Sequence, residues 1–304
     1  WVDSLGIHSP RGSFIPFNFK QVGYWSGSDH VVFCDPTIGV PSVMLGHGDV
    51  FHHSSYDTPD KCDPTEMKRV MAVTAMAAYV TANADDRWAL KIASAAHRKW
   101  LDRLHRRTMQ SMEWLQNNSR AKDFPKQSAY IFRKILAYSR LIIQVEKRAL
   151  ADIKKMCRGK ENRRFIDGFS LATAKHVELD NRSLRDFYSL CCKQNKQPVS
   201  SPQLTGLEKK AQSIIPKRLK RGPFPFSYFE RQLGSDIGWY KKNSDKTGRS
   251  RDNKMYEVLN LCDGKRSALM IRDIISLEFG EADVEFVLHL LADLEKTGLI
   301  TLKK

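Results

Sequence analysis

Residues 27–66 decide the fold expected for this chain, and they read GSDHVVFCDPTIGVPSVMLGHGDVFHHSSYDTPDKCDPTE. Two short apolar runs, 31–33 and 40–45, are bounded by turn-forming residues, a pattern typical of β-strands joined by loops. After Asp63, residues 66–82 place a series of apolar side chains at helical spacing. These are Met67, Val70, Met71, Thr74, Ala77 and Ala78. The sequence therefore predicts strands and functional loops followed by an amphipathic helix.

The loop 46–61 contains the densest polar cluster of the chain, with histidines at 47, 52 and 53 and aspartates at 49, 57 and 60. Imidazole and carboxylate groups on a loop between a strand and a helix suit zinc, which takes nitrogen and oxygen ligands. The alternative is a polar loop whose histidines form only local hydrogen bonds. The residues of the loop leave both interpretations open.

The order of motifs around this loop resembles the C-terminal end of a zinc peptidase catalytic domain. The matching segments are GSDH at 27–30, Phe33, GVP at 39–41, HSSYDT at 53–58 and DPTE at 63–66. The family is that of the co-catalytic zinc aminopeptidases, peptidase family M twenty-eight. The resemblance implies an α/β fold in which this region ends a three-layer α/β/α zinc-exopeptidase domain. It also implies a peptide substrate, hydrolysed by metal-activated water.

The resemblance assigns roles to four residues of this segment. His53 stands four residues before Asp57 and would be the last zinc ligand, whereas His52 occupies a variable preceding position. Asp57 would orient the ligand. Asp29 and His30 would line or support the substrate cleft, although an Asp side chain that fixes a turn is the alternative interpretation of that pair.

The resemblance also implies groups that this chain lacks. In the family two zinc ions are held by a His-x-Asp motif, further acidic ligands and the final His, and a Glu next to a Glu ligand is the general base. The chain has no Glu-Glu pair, and His47-x-Asp49 lies inside the final-ligand loop, so it is interpreted as a chance match. One ligand cannot hold a catalytic zinc. The chain, which starts at Trp1, is therefore expected to be the C-terminal part of a longer enzyme and inactive alone.

Composition and charge divide the chain into four regions. Six cysteines without a C-x-x-C pair indicate neither a zinc ribbon nor a disulfide framework, and no apolar run is long enough to span a membrane. Residues 1–84 carry 5 Lys/Arg against 8 Asp/Glu, residues 85–251 carry 38 against 16, and residues 252–304 carry 7 against 10. The regions predicted are 1–84, the peptidase-like end; 85–192, basic helices; 193–251, a basic Pro-containing linker or wrapping segment; and 252–304, a winged-helix-like domain.

The last of these regions has the clearest local signals. A helix around Tyr256 ends at Asp263-Gly264, Ser267 caps a second helix, and a third ends at Gly298 before a strand at 299–302. This unit resembles the small terminal domain of some large bacterial members of the same family. The local signals predict three helices followed by a strand.

The charge of +22 over residues 85–251 makes nucleic-acid binding the rival function, in which a non-catalytic protein contacts nucleic acid or a protein partner through its basic middle region. The third helix of the terminal unit opposes this because its acidic side chains repel phosphate. These include Glu281, Asp283, Glu285, Asp293 and Glu295. Docking of the terminal unit on the basic helices by opposite charge is expected instead. Solvated helix faces with a charged linker remain the alternative for the basic middle region.

Overall fold

A computed structural model describes residues 28–46, 48, 50–121, 124–199, 203–224, 231–234, 238–243 and 251–303. Within these ranges the chain is mostly helical and has a single two-stranded sheet. The helices are α1 His30–Cys34, α2 Pro64–Ala82, α3 Asp86–Asn118, α4 Phe124–Lys154, α5 Lys160–Gln194, α6 Gly206–Ser213, α7 Gly238–Lys242, α8 Arg251–Asn260, α9 Ala268–Phe279 and α10 Val284–Lys296. The strands are β1 Ile215–Arg218 and β2 Ile300–Lys303.

This architecture corrects the expected fold class, because the described residues do not form a three-layer α/β/α domain. The apolar run 31–33, predicted as a strand, lies in α1, and the run 40–45 has no regular secondary structure. Val43 in the second run is 83% exposed. A strand is stable only when a neighbouring strand satisfies its backbone groups, and in the described ranges neither run has one.

Helix α2 confirms the prediction of a helix after Asp63. The Asp63 carboxylate accepts hydrogen bonds from the backbone N–H groups of Thr65 (2.7 Å) and Glu66 (3.3 Å), so it caps the helix. Pro64 occupies the first turn, where its missing N–H costs nothing. The helix has no buried residue, and the amphipathic core face expected from its spacing is therefore not covered by the described residues.

Helices α3, α4 and α5 pack against one another as a three-helix bundle, which confirms the long basic helices predicted from residue 85 onward. Asp85 caps α3 by accepting from the Trp88 N–H at 2.9 Å. At the same end of the bundle, the Asp86 carboxylate accepts from the Gly159 N–H at 2.9 Å and so ties the start of α5 to α3. Layers of buried side chains fill the interior, such as Leu104, Ile142 and Val177.

A buried polar contact joins all three helices of the bundle. His97 Nδ1 on α3 is 2.8 Å from a carboxylate oxygen of Glu146 on α4, and Thr173 Oγ1 on α5 lies 3.2 Å from the same nitrogen. Glu146 is 1% exposed. Buried polar groups with specific partners fix the register of neighbouring helices, because a shifted register leaves them unsatisfied.

The C-terminal module, defined here as residues 203–224, 238–243 and 251–303, contains the predicted helices and strand. Ser267 caps α9 by accepting from the Met270 N–H at 3.2 Å, and Gly298 with a φ of 70° follows α10. β2 pairs antiparallel with β1, and Arg218 lies opposite Ile300. The Pro-containing segment predicted as linker or wrapping segment thus supplies α6 and β1. Ala211 in α6 and Ile214 directly before β1 belong to the core of the module.

A buried ion cluster joins the module to the bundle. Glu208 on α6 forms ion pairs with Arg133 on α4 and with Arg272 on α9, the latter at 3.0 Å, and only 3% of the Glu208 side chain is exposed. Although burial alone would raise it, the pKa of Glu208 falls to about 2, because the two guanidinium groups and the Thr205 N–H stabilise the carboxylate. Nearby, Glu281 forms an ion pair with Lys134.

Candidate functional site

The loop before α2 is shaped by hydrogen bonds around Ser54. The Ser54 N–H donates to the Phe51 carbonyl at 3.0 Å, and its hydroxyl donates to the same carbonyl at 2.6 Å. The Tyr56 N–H in turn donates to the Ser54 hydroxyl at 3.2 Å. These bonds close a turn that starts directly before the two histidines of the loop.

His53 is held in a left-handed backbone conformation, with a φ of 62°. A residue with a β-carbon adopts this region at a cost of about 1 kcal/mol or more, and such positions concentrate at functional sites. The side chain is exposed, and its ring centroid lies 3.9 Å from that of His52. The turn therefore presents an accessible imidazole in a backbone region that residues other than glycine adopt infrequently.

Asp57, the residue predicted to orient His53, is exposed, and its backbone N–H donates to the Ser54 carbonyl at 3.2 Å. At the end of the same loop, Asp60 forms an ion pair with Lys61 and accepts from the Thr58 hydroxyl. The contact with Lys61, followed by that with Thr58, lowers the pKa of Asp60. The loop is thus held by short-range contacts.

Asp29 and His30, the predicted cleft residues, lie at the start of α1. Asp29 is exposed and its side chain does not cap the helix, while His30 is half-buried. A turn fixed by an Asp side chain does occur in this segment, but the residue that forms it is Asp35, six residues after Asp29. His47 and Asp49 lie outside the described residues.

The described residues do not form a complete zinc site. No group of three or more His, Cys, Asp or Glu side chains in the described ranges is arranged to hold a metal ion. His53 offers one imidazole, and a zinc site needs three or four protein ligands. The described part of the chain therefore does not by itself contain a complete metal centre.

Asp35 and Arg218 form an ion pair that sequence reasoning missed. Asp35 is completely buried, and one of its oxygens accepts from Arg218 at 3.0 Å. The other oxygen accepts from the Thr37 N–H at 2.9 Å, and the Thr37 hydroxyl accepts from the Gly222 N–H at 2.9 Å. The segment that precedes the histidine loop is therefore fastened to the C-terminal module. Asp35-Pro36-Thr37 is a recognisable turn sequence, but it carries no signal for a partner 183 residues away.

The Arg218 side chain continues into a polar network within the module. It donates to the Asn260 side-chain oxygen at 3.2 Å, and the Asn260 amide donates to Glu257 at 3.2 Å. Burial, together with the negative charge of Glu278, raises the pKa of Glu257 to about 7. The network therefore contains a half-buried carboxyl group with a pKa near neutral pH.

Comparisons of the chain with protein-family models, with curated proteins and with solved structures find no match. In the described part of the chain, every helix is too short or too polar to cross a membrane.

Proposed function

We propose that this chain is the C-terminal part of a two-zinc exopeptidase of the aminopeptidase type and that His53 is one of its zinc ligands. The proposal rests on the ordered match of residues 27–66 to the co-catalytic zinc aminopeptidases. The observation that carries it furthest is the conformation of His53, whose exposed imidazole follows a left-handed backbone turn. The other ligands and the general base would come from outside the described residues.

Helix α2 supports the proposal. Residues 70–82 contain no charged side chain, and large apolar residues are exposed all around the helix, including Met71 (59%), Met76 (60%) and Tyr79 (70%). A helix that is apolar on every side is normally buried on every side. Its exposure in the described part of the chain fits a helix that belongs to a larger domain, with its packing partners outside these ranges.

The test compares two neighbouring histidines in the polypeptide encoded by the complete reading frame. We expect this polypeptide to bind two zinc ions and to hydrolyse aminoacyl 4-nitroanilides. His53→Ala should lose one zinc ion, measured by mass spectrometry of the metal, and at least about 100-fold in activity. His52→Ala is the matched control, since it removes the adjacent imidazole, and it should keep both properties.

Equal zinc content and activity in the two variants would contradict the role of His53. A complete reading frame without an upstream His-x-Asp motif and Glu-Glu pair would contradict the peptidase assignment itself. The 304-residue chain on its own should be inactive in the same assay, because a single imidazole does not hold a catalytic zinc.

A further inference from the structure

Helix α5 exposes large apolar side chains although its opposite face is already buried in the three-helix bundle. Ile166, Val177 and Leu184 on the inner face are at most 4% exposed. On the outer side, by contrast, Phe165, Leu171, Leu179 and Leu190 are 60%, 68%, 59% and 48% exposed. Single exposed leucines are ordinary, but four large apolar side chains exposed on the outer side of one helix make that side a candidate interaction surface.

Three of these four residues, all except Phe165, lie on a regular line of exposed positions, which we call the outer stripe of α5. It consists of Arg164, Gly168, Leu171, Lys175, Leu179, Arg182, Asp186, Leu190 and Lys193. All members are exposed, and successive members are three or four residues apart. This spacing keeps them on one face of the helix, over a length of about 44 Å at the usual rise per residue. The same spacing occurs at helix–helix contacts.

The stripe alternates leucines with cations. Lys175 lies between Leu171 and Leu179, and Arg182 follows. None of the ion pairs formed among the described residues involves Arg164, Lys175, Arg182 or Lys193. The positive charges of the stripe are therefore available to a partner.

A second copy of this chain is a poor occupant. In an antiparallel pairing of two α5 helices about the middle of the stripe, Lys175 would face Arg182, Arg164 would face Lys193, and Leu171 would face Asp186. In a parallel pairing each cation would face itself. Both arrangements place like charges opposite each other, which opposes association.

An anionic membrane or a nucleic acid fits the stripe less well than a protein helix. Helices that lie on membranes present a continuous apolar face with cations beside it, whereas here charged residues interrupt the leucines and Asp186 lies among them. The phosphate backbone of a nucleic acid binds cationic side chains, but it makes no favourable contact with exposed leucines. A facing helix can match both kinds of residue at the same spacing.

We propose that the outer stripe of α5 binds an acidic amphipathic helix of a partner protein. The partner helix would place apolar side chains against Leu171, Leu179 and Leu190, and Glu or Asp side chains against the four cations. This inference is independent of the zinc-peptidase proposal, since α5 shares no residue with the histidine loop.

The probe for the test is a fluorescein-labelled helical peptide of about 28 residues, long enough to cover most of the stripe. It carries Leu at the facing apolar positions and Glu opposite the cations, and a second peptide has Lys in place of every Glu. We expect the Glu peptide to bind the 304-residue chain, measured by fluorescence anisotropy, and the Lys peptide not to bind. Equal binding of both peptides, or binding of neither, would overturn the proposal.

Two double variants locate the binding surface. Leu171→Ser with Leu179→Ser, and Lys175→Glu with Arg182→Glu, should each weaken binding of the Glu peptide at least about tenfold. The charge-reversed variant should gain binding to the Lys peptide. The matched controls lie on α3, where the same kinds of residue are exposed. Met109→Ser is the control for the leucine variant, and Lys91→Glu with Arg98→Glu is the control for the charge-reversed variant. Both should bind the Glu peptide within about twofold of the unmodified chain.

Binding of the stripe to a lipid surface is measured with the same protein variants. Binding to vesicles of phosphatidylcholine and phosphatidylserine that depends on Leu171 and Leu179, without binding to the Glu peptide, would replace the partner helix by a membrane surface. Circular dichroism of each variant checks that the bundle is folded. Folded stripe variants that bind the Glu peptide as well as the controls do would also overturn the proposal.

Discussion

At the scale of single residues, the environment decides what a carboxyl group does. Glu208 and Glu257 have the same side chain, but two guanidinium groups lower the pKa of Glu208 to about 2, while burial beside Glu278 raises the pKa of Glu257 to about 7. The first is therefore a permanent charge in the contact between module and bundle. The second is mostly protonated below about pH 7.

Glu208→Gln should lower the free energy of unfolding by about 3 kcal/mol at pH 7, because it removes the buried anion shared by Arg133 and Arg272 and leaves Arg272 with only its neighbour Asp273. The folded pKa lies below the ordinary value of 4.5. The carboxylate thus contributes its full stability above that ordinary value and loses it as the pH falls towards about 2. Urea unfolding at several pH values should show the difference between the two proteins shrinking below about pH 4.5.

Glu281→Gln is the control for this experiment, since Glu281 also pairs with a cation of α4 but its side chain is 70% exposed. An exposed pair contributes about 0–1 kcal/mol. Equal destabilisation by both variants at pH 7 would show that Glu208 has no special role in joining the module to the bundle.

At the scale of elements, helices occur where hydrophobic periodicity and capping residues agree. Strands occur only where a neighbouring strand is present to pair with. The helices predicted to begin at Asp63, Asp85 and Ser267 are present, and the side chain of each of these residues caps its helix. By contrast, the run 31–33 became helical, and α1 is connected to the C-terminal module through the turn at Asp35. The segment before the histidine loop is thus held on the module by the buried ion pair between Asp35 and Arg218 and by the hydrogen bond from the Gly222 N–H to the Thr37 hydroxyl.

Asp35→Asn should release this segment without unfolding the module. Breaking a buried pair costs about 3–5 kcal/mol, and the amides of Ile38 and Gly39, which donate to the Asp35 carbonyl, should exchange with solvent at least about 100-fold faster. Hydrogen exchange followed by mass spectrometry measures this. Asp60→Asn, a change at an exposed carboxylate of the following loop, should leave these amides unaffected. Unchanged exchange in Asp35→Asn would mean that other contacts hold the segment.

At the scale of the whole molecule, part of the segment interpreted as a basic linker, residues 193–251, belongs to the C-terminal module. Residues between the bundle and the last three helices complete the C-terminal module: β1 pairs with β2, and the Ala268 N–H donates to the Ile214 carbonyl at 2.9 Å. Tyr240 on α7 is 1% exposed and donates from its hydroxyl to Asp293 at 2.7 Å.

A fragment spanning 203–304 should therefore fold, whereas a fragment spanning 251–304 should not. The shorter fragment lacks β1 and the core side chains Ala211 and Ile214, so β2 has no strand to pair with. Thermal unfolding followed by circular dichroism should show a cooperative transition only for the longer fragment. A cooperative transition at the same temperature in both would mean that the last three helices are an independent domain.

Local sequence signals were enough to predict basic helices within residues 85–192 and the ends of the last three helices, but not α6, which lies in the segment interpreted as a linker. Hydrophobic periodicity, capping residues and Gly298 act within a few residues of where they stand, so they can be read locally. The zinc-ligand role of His53 comes from a motif and stays a prediction. Only the tertiary structure decided the pairing of β1 with β2, the ion pair between Asp35 and Arg218, and the environment of Glu208. Each joins residues far apart in the chain, and a strand, a buried charge or a shifted pKa is stable only when that distant partner is present.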